Sequence, residues 1–378
     1  MNIGTINING YLEGYYGRLL KWPERNIILK KLKDTKLNSY FYCPKEDLNH
    51  RLNWRKKYSK KWMSSFNSFC KAGEKYGINV FIGISPGLDY KFENDNQDFN
   101  ILLTKAKIMK GLGASKIVLL FDDIPEKISK NNKKSKSEGL LHAELANRLS
   151  DQLDDIVYVV PRVYSDELIV IGCTYLHDFG KKLNKNIPIF YCGQMIVSNT
   201  SQVHELESIR KVTSNKIIFW DNLYANDYCP KKIFLGPWIN RTNLNNIMVN
   251  LTGMIETDLF LLDLVSLNVI DRNNQLNWEK NIKKYKIPKQ FLIISKYFYP
   301  LNYIYKERIN VVNYFQEIEA LDFLLWKWKT PLSREWYQYL LILKQDIQLY
   351  NGDLDNNRIK KIFPIPLVNA INKLKWRK

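Results

Sequence analysis

The sequence predicts a (β/α)8 barrel with a C-terminal helical extension, and three observations carry that reading. Eight short apolar or β-branched runs alternate with longer stretches of helical spacing between Thr5 and Leu267. One of these runs, Lys116–Phe121 (KIVLLF), suits a parallel strand buried on both faces. Polar residues gather just after the C-terminal ends of the runs, where such a barrel carries its site. An alternation of this length favours a closed barrel over an open doubly wound sheet.

In order, Thr5–Asn9 reads as the first strand, followed by a helix through Ile27–Leu32. Ser39–Cys43 is the second strand and Lys60–Tyr76 its helix, with apolar residues at helical spacing. Asn79–Ser85 (NVFIGIS) ends in Pro86-Gly87, and a helix through Ile101–Leu112 leads into Lys116–Phe121. Val157–Val160, Pro188–Tyr191, Ile217–Trp220 and Ile247–Leu251 complete the strands. Helices are expected around Ala143–Asp154, Val203–Val212 and Glu256–Leu267.

Beyond Gln275 the strand signals fade. Val311–Leu325 and Arg334–Leu349 read as amphipathic helices, with Pro300, Pro331 and Pro364 as breaks. Two units are therefore expected: residues 1–274 as a catalytic barrel and 275–378 as a helical region, which offers a surface for a homodimer. Ser129–Ser137 (SKNNKKSKS) is the most polar stretch and reads as a surface loop after the fourth strand.

Composition excludes several classes. Five cysteines scattered over 378 residues make no disulfide framework, and no CxxC pair occurs. With only four histidines as well, metal-ligand spacing is absent, and neither metal nor cofactor is expected. The N-terminus, MNIGTINING, lacks the basic and apolar regions of a signal peptide, and no apolar run is long enough to span a bilayer. The sequence thus reads as soluble and cytoplasmic. The formal charge of +19, from 57 Lys and Arg against 38 Asp and Glu, would favour a polyanion partner. The lysines are spread along the chain, however, and Lys, Asn and Ile rise together as AT-rich coding produces. Nucleic acid is not the expected partner.

At the strand ends the polar residues are Glu13 to Gly17, Pro44 to Asp47, Asp122-Asp123, Arg162 with Tyr164, and Trp220 to Asn222 continuing to Asp227. Asp122-Asp123 is the sharpest signal. Two carboxylates after an apolar strand are partly desolvated and repel each other, which raises one pKa and divides acid from base. Glycosidic cleavage requires that division. A helix N-cap or a solvated pair would look the same in sequence. Lys45 alone could be a surface lysine, Trp220 a core residue, and Gly14 and Gly17 a tight turn.

Six blocks occur in order: Glu13-Gly14-Tyr15-Tyr16-Gly17, Tyr42 to Asp47 with His50-Arg51 and Trp54-Arg55, Ser85 to Asp89, Leu120 to Ile124, Trp220 to Asn222 with Ala225 to Tyr228, and Leu235-Gly236-Pro237. Over residues 8 to 267 they resemble glycoside hydrolase family 84, the O-GlcNAcases and related β-N-acetylglucosaminidases. The resemblance implies a retaining, substrate-assisted mechanism in which the substrate's acetamide oxygen attacks the anomeric carbon and forms an oxazoline. It implies removal of terminal GlcNAc, including GlcNAc on protein Ser or Thr. By position, Asp122 would orient the acetamide N–H and Asp123 would be general acid, then base. Tyr164 would hydrogen-bond the acetamide oxygen, and Trp220 with Cys192 would wall its pocket. Asn222 would hold acid and substrate. Lys45, the Gly14 carbonyl and Asp227 would bind sugar hydroxyls, and Tyr16 would line the pocket.

The sequence departs from that pattern in three places. Leu19-Leu20 replaces a Pro-Trp, Leu251 replaces a Pro, and Asp258 stands at the position aligned with a sugar-binding Asn. Asp258 is expected to add a negative charge to the cleft. The alternatives are a hexosaminidase for another 2-acetamido sugar or polysaccharide, and a non-catalytic carbohydrate- or nucleic-acid-binding barrel.

Overall fold

The computed structural model describes residues 7–35, 37–125, 137–170, 172–198, 206–239, 241, 245–270, 273–299 and 313–351. Thr5 and Ile6 of the expected first strand, 129–136 of the polar loop, 203–205 and 311–312 of two expected helices, and Pro300 and Pro364 lie outside these residues.

Eight strands form one closed parallel barrel in chain order. They are β1 (Asn9–Glu13), β2 (Ser39–Tyr42), β3 (Asn79–Ile84), β4 (Lys116–Leu120), β5 (Tyr158–Val160), β6 (Ile189–Tyr191), β7 (Ile217–Asp221) and β8 (Ile247–Asn250). The barrel closes where β1 meets β8, with Leu12 opposite Asn250. The helices of this unit are α1 (Trp22–Lys33), α2 (Lys60–Tyr76), α3 (Asn96–Gly111), α4 (Glu138–Leu153), α5 (Tyr175–Lys182), α6 (Glu207–Val212), α7 (Ile255–Ile270) and α8 (Asn274–Lys284). Among the described residues no helix lies between β7 and β8.

Two differences from the sequence reading, one in a strand and one in a helix, have local causes. β1 begins at Asn9 rather than ending there, and it runs through Gly10. Gly10 pairs with Ser39, and a Cβ on it would stand 1.8 Å from the Ser39 carbonyl oxygen. Glycine here is a strand residue because two backbones touch. Helix α5 is not expected from the sequence, since only eight residues, YLHDFGKK, carry its pattern.

Side chains alternate in and out along each strand. Leu12, Phe41, Phe81, Val118, Leu120, Phe190, Ile218, Trp220 and Met248 point inward and fill the barrel as one buried cluster. Their sequence neighbours point toward the helices. Tyr11 and Tyr40 pack with their rings tilted, 5.2 Å between centroids, and the Phe121 ring stacks on His142 at 3.8 Å.

The chain divides into two compact units, Met1–Pro230 with Phe234–Tyr285, and Lys231–Ile233 with Lys286–Lys378. The division falls after Tyr285 rather than at residue 274, because α8 is fastened to the barrel unit. Trp278 Nε1 donates to the Leu235 carbonyl at 2.7 Å, Asn281 Nδ2 to that of Phe260 at 2.8 Å, and Lys284 pairs with Asp263 at 2.7 Å. The second unit holds α9 (Gln290–Ile294), a 3-10 turn (Ser295–Phe298), α10 (Tyr314–Trp326) and α11 (Pro331–Tyr350). Trp336 anchors it, with ring centroids 5.1 Å from Phe291 and 5.6 Å from Trp328. No helix among the described residues is long and apolar enough to cross a membrane.

Candidate active site

The inward alternation does not stop where the strands end. Two residues past an inward core side chain, the next inward position opens into a cavity of about 420 Å³ at the C-terminal face. Leu12 is followed in this way by Gly14, Cys43 by Lys45, Leu120 by Asp122, Phe190 by Cys192, Trp220 by Asn222 and Met248 by Asn250. All six second members line the cavity, with Tyr16, Asp123, Tyr164, Trp220 and Asp227. The outward neighbours Glu13, Phe121, Asp221 and Val249 do not. Glu13 lies under α1, where Arg25 holds it through a two-pronged pair at 2.8 and 2.9 Å and Tyr40 donates to it. Asp221 is gripped by Arg241 and Trp238. Arg162 pairs with Glu138. These strand-end residues support the rim from behind.

At the floor, Lys45 Nζ is hydrogen-bonded to Asp122 Oδ2 and lies 3.1 Å from Asp123 Oδ2. Burial alone would lower the Lys45 pKa, but Asp122 and then Asp123 outweigh it, so the ammonium is held charged. Asp122 is 4% exposed, and its second oxygen, Oδ1, has no hydrogen-bond partner among the described residues. A buried carboxylate oxygen left bare is costly and is rare unless something else is meant to meet it.

Asp123 is arranged differently. Its backbone is left-handed (φ 52°), a conformation that residues with a Cβ seldom adopt. Tyr164 donates to Oδ1 at 2.8 Å and Tyr16 to Oδ2 at 2.8 Å. Burial alone would raise its pKa. Lys45, then the Tyr164 and Tyr16 hydroxyls, more than reverse that and hold it below the usual carboxylate range. Repulsion within the pair alone would leave one acid protonated; the ammonium bridging the two carboxylates, which their adjacency in sequence does not reveal, reverses this for Asp123. Burial pushes both tyrosine hydroxyls up, so they remain protonated donors.

The walls are built from β6 to β8. Trp220 Nε1 donates to Asn222 Oδ1 at 2.8 Å, which also accepts from Asn250 Nδ2 at 3.0 Å. Asn222 Nδ2 in turn donates to the Ile196 carbonyl at 2.8 Å. Cys192 adds an apolar face, its thiol pushed well up by burial. Gly14 donates its N–H to Asn250 Oδ1 at 3.2 Å, and a Cβ there would meet Trp220 Cζ2 at 2.7 Å. Asp227 accepts the Tyr16 backbone N–H at 2.9 Å. The turn after β2 is stapled from behind by Lys105, whose Nζ donates to the carbonyls of Asn49, Trp54 and Lys56.

One expected site residue is elsewhere. Asp258 does not line the cavity; it sits in the first turn of α7, fully buried. Its carboxylate accepts from Tyr11 Oη at 3.0 Å, from Thr252 N at 2.9 Å and Oγ1 at 2.6 Å, and from Gly253 N at 3.0 Å. Asp258 therefore closes the turn before α7 and adds no charge to the cleft. Among the residues absent from the expected set, Asn250 lines the cavity, where the two-residue alternation past Met248 would have found it, and Arg51, quoted only as part of the second block, reaches Asp123 and Tyr16. Among the described residues no group of three or more His, Cys, Asp or Glu is placed to hold a metal ion.

The family described as beta-N-acetylglucosaminidase matches residues 9–286. The Protein O-GlcNAcases of Rattus norvegicus and Mus musculus are each 31% identical over 240 residues, 62% of this chain and 26% of theirs. The chain thus spans about a quarter of the length of these curated relatives. Among solved structures, CpGH84B covers 97% of this chain and 74% of its own at 20% identity, with a TM-score of 0.75. A mutant O-GlcNAc hydrolase from Thermobaculum terrenum covers 92% and 78% at 21% identity, with a TM-score of 0.72. At these identities the two structures establish the shared fold. The family match spans nearly three quarters of the sequence, and the chain belongs to the beta-N-acetylglucosaminidase family.

Proposed function

We propose that the chain is a retaining β-N-acetylglucosaminidase that removes terminal GlcNAc, including GlcNAc attached to protein Ser or Thr, by substrate-assisted catalysis. The observation that carries this reading is the bare Oδ1 of Asp122 on the cavity floor, with Oδ2 fixed by Lys45. An acetamide N–H is the donor such an oxygen lacks. Accepting it, Asp122 turns the acetamide oxygen toward the anomeric carbon and stabilises the positive charge that develops on nitrogen as the oxazoline closes.

In the first step the acetamide oxygen forms a bond to the anomeric carbon while the glycosidic C–O bond breaks. The leaving oxygen takes its proton from Asp123. In the second step Asp123 removes a proton from water, whose oxygen attacks the anomeric carbon and reopens the ring with retention. Trp220 and Cys192 enclose the methyl group. Asn222, Asp227 and the Gly14 carbonyl bind sugar polar groups. Tyr164 and Tyr16 aim Asp123, a different task for Tyr164 from holding the acetamide oxygen. Lys45 fixes Asp122 Oδ2 and turns toward sugar hydroxyls when substrate enters.

The test is chromophore release from an aryl β-N-acetylglucosaminide, repeated with a trifluoroacetyl group in place of acetyl. A weaker amide nucleophile should slow turnover steeply. Rates indifferent to that change, or a trapped covalent glycosyl–enzyme adduct, would refute the mechanism.

A further inference from the structure

We propose that Arg51 is a positioning residue for Asp123, its guanidinium fork fixing at once the Asp123 backbone and the direction of the Tyr16 proton. This deepens the functional reading above and rests on it for the acid–base role of Asp123.

Arg51 lies in the turn after β2 and is 8% exposed. Its Nη2 donates to the Asp123 carbonyl oxygen at 2.5 Å, and its Nη1 donates to Tyr16 Oη at 2.7 Å. The first bond holds the peptide after a left-handed residue, a conformation kept only where neighbours over-determine it. The second acts through hydrogen-bond arithmetic. A tyrosine hydroxyl has one proton, and a guanidinium can only donate. With Arg51 donating into Oη, the Tyr16 proton is directed to Asp123 Oδ2, 2.8 Å away. The charge of Arg51 is secondary. Nη1 stands 3.9 Å from Asp123 Oδ2, whereas Lys45 Nζ is at 3.1 Å.

Among the described residues, the groups around Asp123 are Tyr16 from the turn after β1, Lys45 and Arg51 from the turn after β2, the adjacent Asp122 after β4, Tyr164 after β5 and the neutral Cys192 thiol after β6. Of these, only Tyr16 takes its orientation from Arg51.

The variants are Arg51→Lys, which keeps charge and loses the fork, and Arg51→Met, which loses both. In each, kcat on an alkyl β-N-acetylglucosaminide should fall about 10- to 100-fold, the effect of a hydrogen bond to a charged group, with KM nearly constant. The loss should be smaller on an activated aryl glycoside. Full activity in Arg51→Lys would reduce the residue to a counter-charge and overturn the proposal. So would a rise in KM at constant kcat.

A second readout needs no turnover. Carbon-13 titration of Asp123 in the ligand-free protein should show its pKa raised in Arg51→Lys and in Tyr16→Phe, with no further rise in the double variant. Additive shifts, or none, would overturn the route through Tyr16. Should the Arg51 variants fail to fold, an unmoved Asp123 in Tyr16→Phe decides against it. A wild-type protein inactive on every GlcNAc glycoside would defeat the functional reading and leave the titration result standing.

Discussion

Lys45 Nζ stands 3.1 Å from Asp123 Oδ2 while also binding Oδ2 of Asp122, so one buried ammonium bridges two adjacent carboxylates. The bridge holds Asp123 ionised in the free protein, which is the form a general base needs and a general acid does not. Under the proposed mechanism substrate must therefore do part of the work of protonating the acid, by drawing Lys45 toward its own hydroxyls. The residue proposed to bind sugar would then also be the one that sets the acid.

This gives a prediction for Lys45→Met. The limb of the kcat/KM pH profile that falls as pH rises reports loss of the Asp123 proton in the free enzyme. Removing a cation favours the protonated carboxyl, so that limb should move to higher pH while the maximum falls. Movement to lower pH would show that Lys45 does not control Asp123.

Asp123→Ala should lower turnover by about 10²–10⁴-fold on glycosides that need a protonated leaving group. The deficit should shrink on aryl glycosides with acidic phenols, because those depart without a proton. Equal deficits on both would take Asp123 out of the acid role.

The strands were legible because parallel strands covered on both faces carry uninterrupted apolar runs; seven of the eight overlap the expected positions closely. The first did not, since Gly10 signals a turn in sequence and serves a close backbone approach in space. The site was legible for a related reason. Alternation continued past an inward core residue on six of the eight strands selects Gly14, Lys45, Asp122, Cys192, Asn222 and Asn250 together. What stayed hidden was pairing at a distance. Nothing near Asp123 in sequence shows that Lys45 and Arg51, 78 and 72 residues earlier, reach it.

His50, beside Arg51, links this loop to acid stability. It is buried, its Nδ1 donates to the Gly83 carbonyl at 2.9 Å, and burial lowers its pKa to about 4. An unfolded histidine titrates near 6.5, so between those values the unfolded chain takes up a proton the folded one refuses. Stability is unaffected above pH 6.5 and falls as pH drops through that window. The loss should reach about 3 kcal/mol by pH 4, at 1.36 kcal/mol for each pH unit. Denaturant midpoints at pH 7 and 4.5 should differ less in His50→Gln than in the parent protein. The same drop in both would assign the acid sensitivity to other groups.

Asp258 offers the opposite test, of a residue whose expected place in the sugar site the structure does not support. Its two oxygens accept four hydrogen bonds, two from backbone N–H groups and two from hydroxyls, in a fully buried turn. Asp258→Asn keeps the volume but turns one acceptor into a donor. Whichever way the amide faces, its NH2 meets donors. If it replaces Oδ2 it faces Gly253 N and the Tyr11 hydroxyl, which can rotate away only toward Tyr15, 3.0 Å from it. If it replaces Oδ1 it faces Thr252 N and Oγ1. The lost charge-assisted bond and the donor left unsatisfied should together lower stability by about 3 kcal/mol. Sugar selectivity should not move, because the side chain does not reach the cavity. Thermal melting beside kcat/KM for GlcNAc and other 2-acetamido glycosides checks both halves. A changed selectivity at unchanged stability would return Asp258 to the substrate site.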